Sequence, residues 1–349
     1  MKKITVLMMC MLGLLFYLPA SAQNDADEAE PVVIEPGQDI PRERRAQAGF
    51  KFLTVSPDAR AAAMGGAYSS IRGGSTAMYY NAAAMAYYGR KIDVAGGQVQ
   101  WIADVNYITG SAAFVTNFGV FGLSLVAVDY GDFLGTVRFD NEKGFIDTGT
   151  YSPSAFALGF GYARAITDRF SVGGDLKIAR QDMGAVPISI TGTNPSLKDF
   201  KETAFIVDFG VLYWTGFKSL NFALSTRNFA TERKFSKESF ELPLTFRMGL
   251  SMDLVDLTGV DKEIHSFLFA IDTERPRDFN ENVKMGAEYT IMKTLSLRMG
   301  YTFPSDEEGI SLGVGVSRDL GTTDVGFDYA YTDFGVFDAV HRLGVHVGF

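Results

Sequence analysis

From about Ile92 to Phe349 the chain alternates apolar residues with small or charged ones, a period of two that only extended strands with two unlike faces can satisfy. The last segment shows it most clearly: Leu343, Val345, Val347 and Phe349 alternate with Arg342, Gly344, His346 and Gly348. The scheme recurs at Val325, Phe327, Tyr329 and Tyr331, at Leu295, Leu297, Met299 and Tyr301, and at Val283, Met285 and Tyr289. A soluble sandwich would bury the apolar face between two sheets, whereas a membrane barrel would turn it to lipid. Strand length separates the two. Roughly 14 segments of about 10 to 13 residues are longer than the soluble average of about five or six. Their centres lie near Ala95, Gly110, Leu123, Leu158, Asp175, Phe209, Leu224, Met248, Phe269, Ala287, Leu297, Val314, Phe327 and Val345, and those around Gly110 and Leu123 are ambiguous in phase.

Connections alternate in length. Thr116 to Phe118, Thr167 to Arg169, Thr215 to Lys218 and Met292-Lys293 are short, while Gly131 to Ser152, Met183 to Lys201, Thr231 to Glu241 and Thr273 to Asn280 are long. With an even strand count and Phe349 on the periplasmic side, every short turn falls periplasmic and every long loop external. The 47% hydrophobic content with 37 Gly, 29 Phe and 15 Tyr suits such a barrel, whose interfaces accept aromatics and whose filled lumen accepts glycine. A net charge of -9 argues against nucleic-acid binding.

The N-terminus reads as an export signal. Lys2 and Lys3 precede an apolar run from Ile4 to Leu18, and Ala20-Ser21-Ala22 offers a small-residue cleavage site. The single cysteine, Cys10, lies inside that run, so cleavage leaves no thiol for disulfides or metal. The next stretch is acidic at Asp25, Asp27, Glu28, Glu30 and Glu35, then basic at Arg42, Arg44 and Arg45, with prolines between, and cannot bury a core. Ser56 as cap, Pro57 at the first helical position and Asp58 at the positive end predict a helix from Pro57 to about Met64, stopped by Gly65-Gly66. A second Ala-rich stretch, Ser75 to Ala86, is too short to stand alone.

The expected architecture is therefore all-β, a transmembrane antiparallel β-barrel of about 14 strands with a short helical N-terminal plug. Its parts are a signal peptide over 1–22, a disordered periplasmic tail over 23–48, the plug over 49–90 and the barrel over 91–349, in the outer membrane and in contact with its lipid.

Two stretches carry a resemblance. Lys51 to Ala67 (Lys-Phe-Leu-Thr-Val-Ser-Pro-Asp-Ala-Arg-Ala-Ala-Ala-Met-Gly-Gly-Ala) and Tyr79 to Ala86 (Tyr-Tyr-Asn-Ala-Ala-Ala-Met-Ala) resemble the PorV/PorQ family of outer-membrane proteins, themselves similar to FadL-like fatty-acid transporters. Ala82 stands where FadL-like relatives usually carry the proline of Asn-Pro-Ala, and Tyr80 to Ala84 departs from the Trp-Asn-Pro-Ala-Lys of the PorV branch. The resemblance implies a 14-stranded barrel with its N-terminal segment folded into the lumen. It also implies either a role in type IX secretion, with secreted cargo and an attachment complex as partners, or passage of long-chain fatty acids and other hydrophobic ligands. The secretion role is the leading expectation and transport the alternative.

Candidate site residues follow. The plug set is Asp58, Arg60, Met64, Gly65, Gly66 and Asn81, with Arg60 expected to pair with Asp324 or Asp328. Charges in inward phase include Asp175, Lys177, Asp208, Arg227, Arg247, Asp253, Lys284, Glu288, Arg298, Asp324, Asp328 and Arg342, either a salt-bridged lining that holds the plug or a charged path for a solute. Phe349 is expected to act as an assembly signal. Apolar residues in two external loops, Phe133, Leu134, Phe139, Phe145 and Ile146, then Val186, Pro187, Ile188 and Ile190, suit a partner, a hydrophobic ligand or each other. His341 and His346 fall on opposite strand faces, so no metal is expected. Neither a cofactor nor a catalytic set is expected; a hydrolase built from lumen carboxylates is the remote third reading.

Overall fold

The computed structural model describes residues 48–191, 194–234, 239–305 and 308–349, with backbone alone between 186 and 195. The expected signal peptide, the tail up to residue 47 and the side chains of Val186, Pro187, Ile188 and Ile190 lie outside the described residues.

The alternation folds into eighteen strands: β1 (Ile92–Gln100), β2 (Asn106–Thr116), β3 (Gly119–Asp129), β4 (Phe133–Arg138), β5 (Phe145–Tyr151), β6 (Ser154–Ala165), β7 (Phe170–Thr191), β8 (Asn194–Trp214), β9 (Asn221–Phe229), β10 (Arg233–Lys234), β11 (Ser239–Phe240), β12 (Thr245–Asp253), β13 (His265–Pro276), β14 (Asn282–Ile291), β15 (Leu295–Phe303), β16 (Ile310–Asp319), β17 (Asp324–Thr332) and β18 (Val340–Gly348). Fourteen close into one antiparallel barrel, with β18 pairing back onto β1. The remaining four form two ribbons, β4 with β5 and β10 with β11, inside connections at the loop end. Each expected segment centre falls in a different barrel strand.

Side chains obey the pleat. Leu297 on β15 and Val314 on β16 are cross-strand neighbours on the exposed outer face, while the flanking Ser296 and Arg298 are buried inside. No helix among the described residues is long and apolar enough to cross a membrane, and strands make the crossing. A closed sheet satisfies every backbone group within the bilayer, and an outward band of Leu, Phe, Val and Met contacts lipid, so this is an outer-membrane barrel. The ambiguity around Gly110 and Leu123 has a cause: Tyr107, Ala113, Val120 and Val128 face inward and are themselves apolar, so the two faces of β2 and β3 contrast weakly.

Two connections depart from expectation. The stretch from Met183 to Lys201, expected as a loop, is mostly ladder: β7 and β8 pair from Phe170↔Tyr213 out to Thr191↔Asn194, interrupted by bulges. At about 3.4 Å per residue this hairpin outruns the bilayer and projects from the loop end. On the turn end, the segment between β12 and β13 carries a 3-10 turn, Leu254–Leu257, whose Val255 packs with the outward-phase Phe267, Ala287 and Tyr289 and covers that patch of wall.

Residues from Gly49 onward cross the lumen once. Gly49 donates to the Glu241 carbonyl at the loop end, and Phe50 stacks near Phe240. At the other end Tyr87 donates to the Thr167 carbonyl in a short turn, and Ile92 exchanges backbone bonds with Phe349. The plug therefore enters β1 at the turn end. Ala48, the first described residue, bridges to Glu241 at the loop end.

Candidate functional site

The plug is built from short turns because its sequence is rich in alanine and punctuated by glycine. Its helix spans Ala59–Ala63, shorter than expected, and Asp58 rather than Ser56 caps it: Asp58 Oδ2 accepts from the Ala61 amide at 2.9 Å. The Ser56 hydroxyl is engaged elsewhere, 2.6 Å from the Tyr80 hydroxyl. Asn81 caps the 3-10 turn Ala82–Tyr87 through its carbonyl, and its amide donates to the backbone of Ser69 at 2.9 Å and Val211 at 3.1 Å.

Glycines in the wall let the plug come close. A Cβ at Gly300 would run into the backbone of Met64 and Gly65, one at Gly286 into Met64, and one at Gly313 into Ala63. Gly65 and Gly66 themselves hold φ of 63° and 77°, which L side chains adopt only with strain. The end of the helix and the two residues after it, Ala63 to Gly65, thus lie directly on three adjacent strands, β14, β15 and β16.

Charge anchors it there. Arg60 donates to both oxygens of Glu288, Nε at 2.8 Å and Nη2 at 2.6 Å, a bidentate pair. Asp324 and Asp328 were expected as its partners, but Arg298 stands between, bonding Glu288 at 2.5 Å and Asp328 at 2.6 Å. Farther round the wall, Asp272 accepts from the amides of Tyr68 and Ser69, at 3.1 and 2.9 Å, and was not singled out in the sequence. Arg247 pairs with Glu274, and Lys284 stands 3.9 Å from the same carboxylate. Lys177 bonds Asp208 at 2.6 Å, beside a carboxyl oxygen of Asp175 that has no hydrogen-bond partner among the described residues. Asp324 lies at the turn end, 3.9 Å from His346. The charges sit in clusters, Arg60–Glu288–Arg298–Asp328 in one and Arg247–Glu274–Lys284 in another.

Two cavities border the plug at its opposite ends. Toward the turn end one of about 280 Å³ has Arg60, Arg72, Asp93, Ser111 and His346 on its border. Toward the loop end an outer vestibule of about 580 Å³ is lined by apolar side chains, among them Trp101, Ile102, Pro243, Phe279, Phe334 and Phe337, and by polar and charged ones, among them Lys51, Glu274, Asp278 and Lys284. Phe334 is buried and packs edge-on to Trp101 at 4.9 Å, whereas Phe279 and Phe337 are about half exposed, 47% and 48%. The loop aromatics singled out in the sequence lie elsewhere: Phe133, Leu134 and Phe145 are on the β4–β5 ribbon, where Phe133 stacks on Tyr151. The named vestibule residues were not singled out in the sequence, since four separate connections supply them. Phe349 lies at the turn end with its ring exposed.

No family model matches the chain, and no curated protein matches it by sequence. Solved structures do match in fold. The toluene transporter TbuX of Ralstonia pickettii aligns at 14% identity over 84% of this chain and 97% of that one, with a TM-score of 0.54. The toluene transporter TodX of Pseudomonas putida aligns at 13% over 84% and 97%, with a TM-score of 0.55. A monoaromatic hydrocarbon channel, CymD, aligns at 12% over 84% and 96%, with a TM-score of 0.54. The chain shares their barrel architecture along nearly their whole length.

Proposed function

We propose that this barrel takes up small hydrophobic molecules from outside the cell, receiving them in the outer vestibule above the plug. The observation that carries the reading is the vestibule itself: about 580 Å³, with Trp101, Phe279, Phe334, Phe337 and three prolines on one part of its lining and charged groups such as Lys51, Glu274, Asp278 and Lys284 on the rest. A cavity of that size with a cluster of aromatic side chains beside cationic ones has room for a monoaromatic, or for a fatty acyl chain with its carboxylate. The fold shared with proteins named as toluene and monoaromatic hydrocarbon channels supports it, as does the similarity to FadL-like transporters of the PorV/PorQ family, which Lys51 to Ala67 resembles. The lumen charges are then positioning groups that hold the plug, and none is assigned a catalytic role.

The PorV/PorQ reading, with cargo and an attachment complex as partners, rests on that sequence resemblance and on the β7–β8 hairpin that projects at the loop end. One experiment separates the two. Purified barrel is equilibrated with radiolabelled oleate and with toluene, and the same preparation, isolated from native membranes, is examined for bound secreted proteins. Saturable binding of either probe, weakened in Phe279→Ala and Phe337→Ala, supports uptake. Stoichiometric secreted protein with no probe binding supports the secretion reading.

A further inference from the structure

Tryptophan at the end of a barrel strand ordinarily faces the membrane interface, yet Trp214, the last residue of β8, turns inward. It shares the phase of the buried Leu212, while Tyr213 between them is exposed on the outer face. Its position is fixed by two neighbouring turns: the Trp214 amide donates to the Arg169 carbonyl at 2.7 Å, and Nε1 donates to the Lys218 carbonyl at 2.7 Å. Two guanidiniums stand over this one ring, that of Arg169 at 5.4 Å from its centroid and that of Arg72, from the plug, at 5.7 Å. Arg72 also stacks on Tyr87 at 4.4 Å. Gly216 leaves space for the other, since a Cβ there would meet the Arg169 guanidinium.

Like charges gathered in this way repel one another unless an anion lies among them. Among the described residues Arg72, Arg169 and Lys218, all three exposed, form no ion pair; Asp168, next to Arg169 in sequence, pairs with none of them, and Asp256 is taken by Lys262. In a chain of net charge -9 this local excess of cations is not a matter of composition. Beside the indole opens a cleft of about 450 Å³, whose lining includes Arg72, Trp214, Lys218, Asn221 and Lys262.

We propose that this cleft docks an acidic stretch of a periplasmic protein. Short turns face the periplasm in an outer-membrane barrel, and these cations stand at the turn end. Trp214 and its cross-strand partner Asn221 lie in the inward phase, away from lipid. The cleft is far larger than one phosphate ion needs, and its cations come from separate chain segments, which suits carboxylates spaced along a peptide. Because Arg72 belongs to the plug and Lys218 to the wall, a docked peptide bridges the two. The inference is independent of the uptake reading, since it rests on the opposite end of the barrel from the vestibule.

The chain holds two tryptophans, so in a Trp101→Phe background Trp214 is the sole indole and its emission reports on the cleft. The full barrel, purified in neutral detergent and checked for resistance to SDS, is titrated with a hexaglutamate peptide, with hexalysine, with inorganic phosphate and with phosphatidylglycerol dispersed in the same detergent. The expected result is a saturable change with hexaglutamate alone, lost at raised ionic strength and weakened about tenfold in Arg169→Gln/Lys218→Gln. No response to hexaglutamate, or an equal response in the double variant, overturns the proposal. A response to phosphate or to phosphatidylglycerol as large as that to the peptide assigns the cleft to a small anion or to lipid and overturns it as well.

Discussion

Arg60 in the plug and Glu288 on β14, 228 positions apart in sequence, face each other through two hydrogen bonds, and Glu288 is held in turn by Arg298. The pair ties a lumenal segment to a wall that would close without it. Replacing Arg60 leaves Glu288 buried with one cation instead of two, at a cost of about 3 kcal/mol, the low end for breaking a buried ion pair. Arg60→Gln is expected to raise single-channel conductance or antibiotic leakage while the barrel stays resistant to SDS at room temperature. The double variant Arg60→Gln with Glu288→Gln should be less harmful than the sum of the two, read by a double-variant cycle on thermal unfolding.

Close approach of backbone to backbone predicts a second effect. Gly300 has no room for a side chain because Gly65 lies against it, whereas the nearest atom to a Cβ at Gly110 would be the Ala95 carbonyl at 4.0 Å. Gly300→Ala is expected to displace the plug and expose it to added protease, and Gly110→Ala to behave as wild type. Equal protease resistance of the two would mean that the plug does not rest on β15.

The outward phase should respond to charge by depth. Leu297→Arg and Val314→Arg place a guanidinium in the lipid-facing band and are expected to cost about 2–4 kcal/mol each. Val336→Arg, at a loop tip where the side chain is 94% exposed, should cost nothing measurable in the same urea unfolding assay. Similar losses at all three positions would contradict the outward assignment of β15 and β16.

Phe349 is a proposal of a different kind, since its exposed ring sits where β18 meets the start of β1. If the end strand is recognised during insertion by edge pairing, Phe349→Ala lowers the amount assembled far more than it lowers the melting temperature of what assembles. A small drop in melting temperature with normal assembly would leave the ring as one member of an aromatic girdle.

The strands were legible because the pleat forces a period of two, and each of the fourteen centres, from Ala95 to Val345, falls in its own barrel strand. Partnership inside the lumen was not. Arg60 was matched to Asp324 or Asp328, yet Glu288 is its partner, because sequence phase says which residues point inward and nothing about where around the barrel they stand. Asp272 was missed for the same reason: its role depends on the plug amides of Tyr68 and Ser69 arriving opposite it. The β7–β8 extension has no clear period of two in the sequence, where Pro187 and Pro195 interrupt it, and bulges in the ladder absorb the irregular pairing. The plug's direction has no local signal at all; Ala48 lies at the loop end only because Glu241 and Asp278 hold it there.

The claim that matters most is uptake through the vestibule. Its direct measurement is the rate at which radiolabelled toluene and oleate enter cells lacking other hydrophobic uptake routes, with wild-type barrel, with a Phe279→Ala/Phe337→Ala variant, and with no barrel. Uptake above the empty control for at least one probe, reduced in the vestibule variant at equal amounts of assembled protein, is the predicted result. Entry of both probes at the rate of cells without the barrel would contradict it.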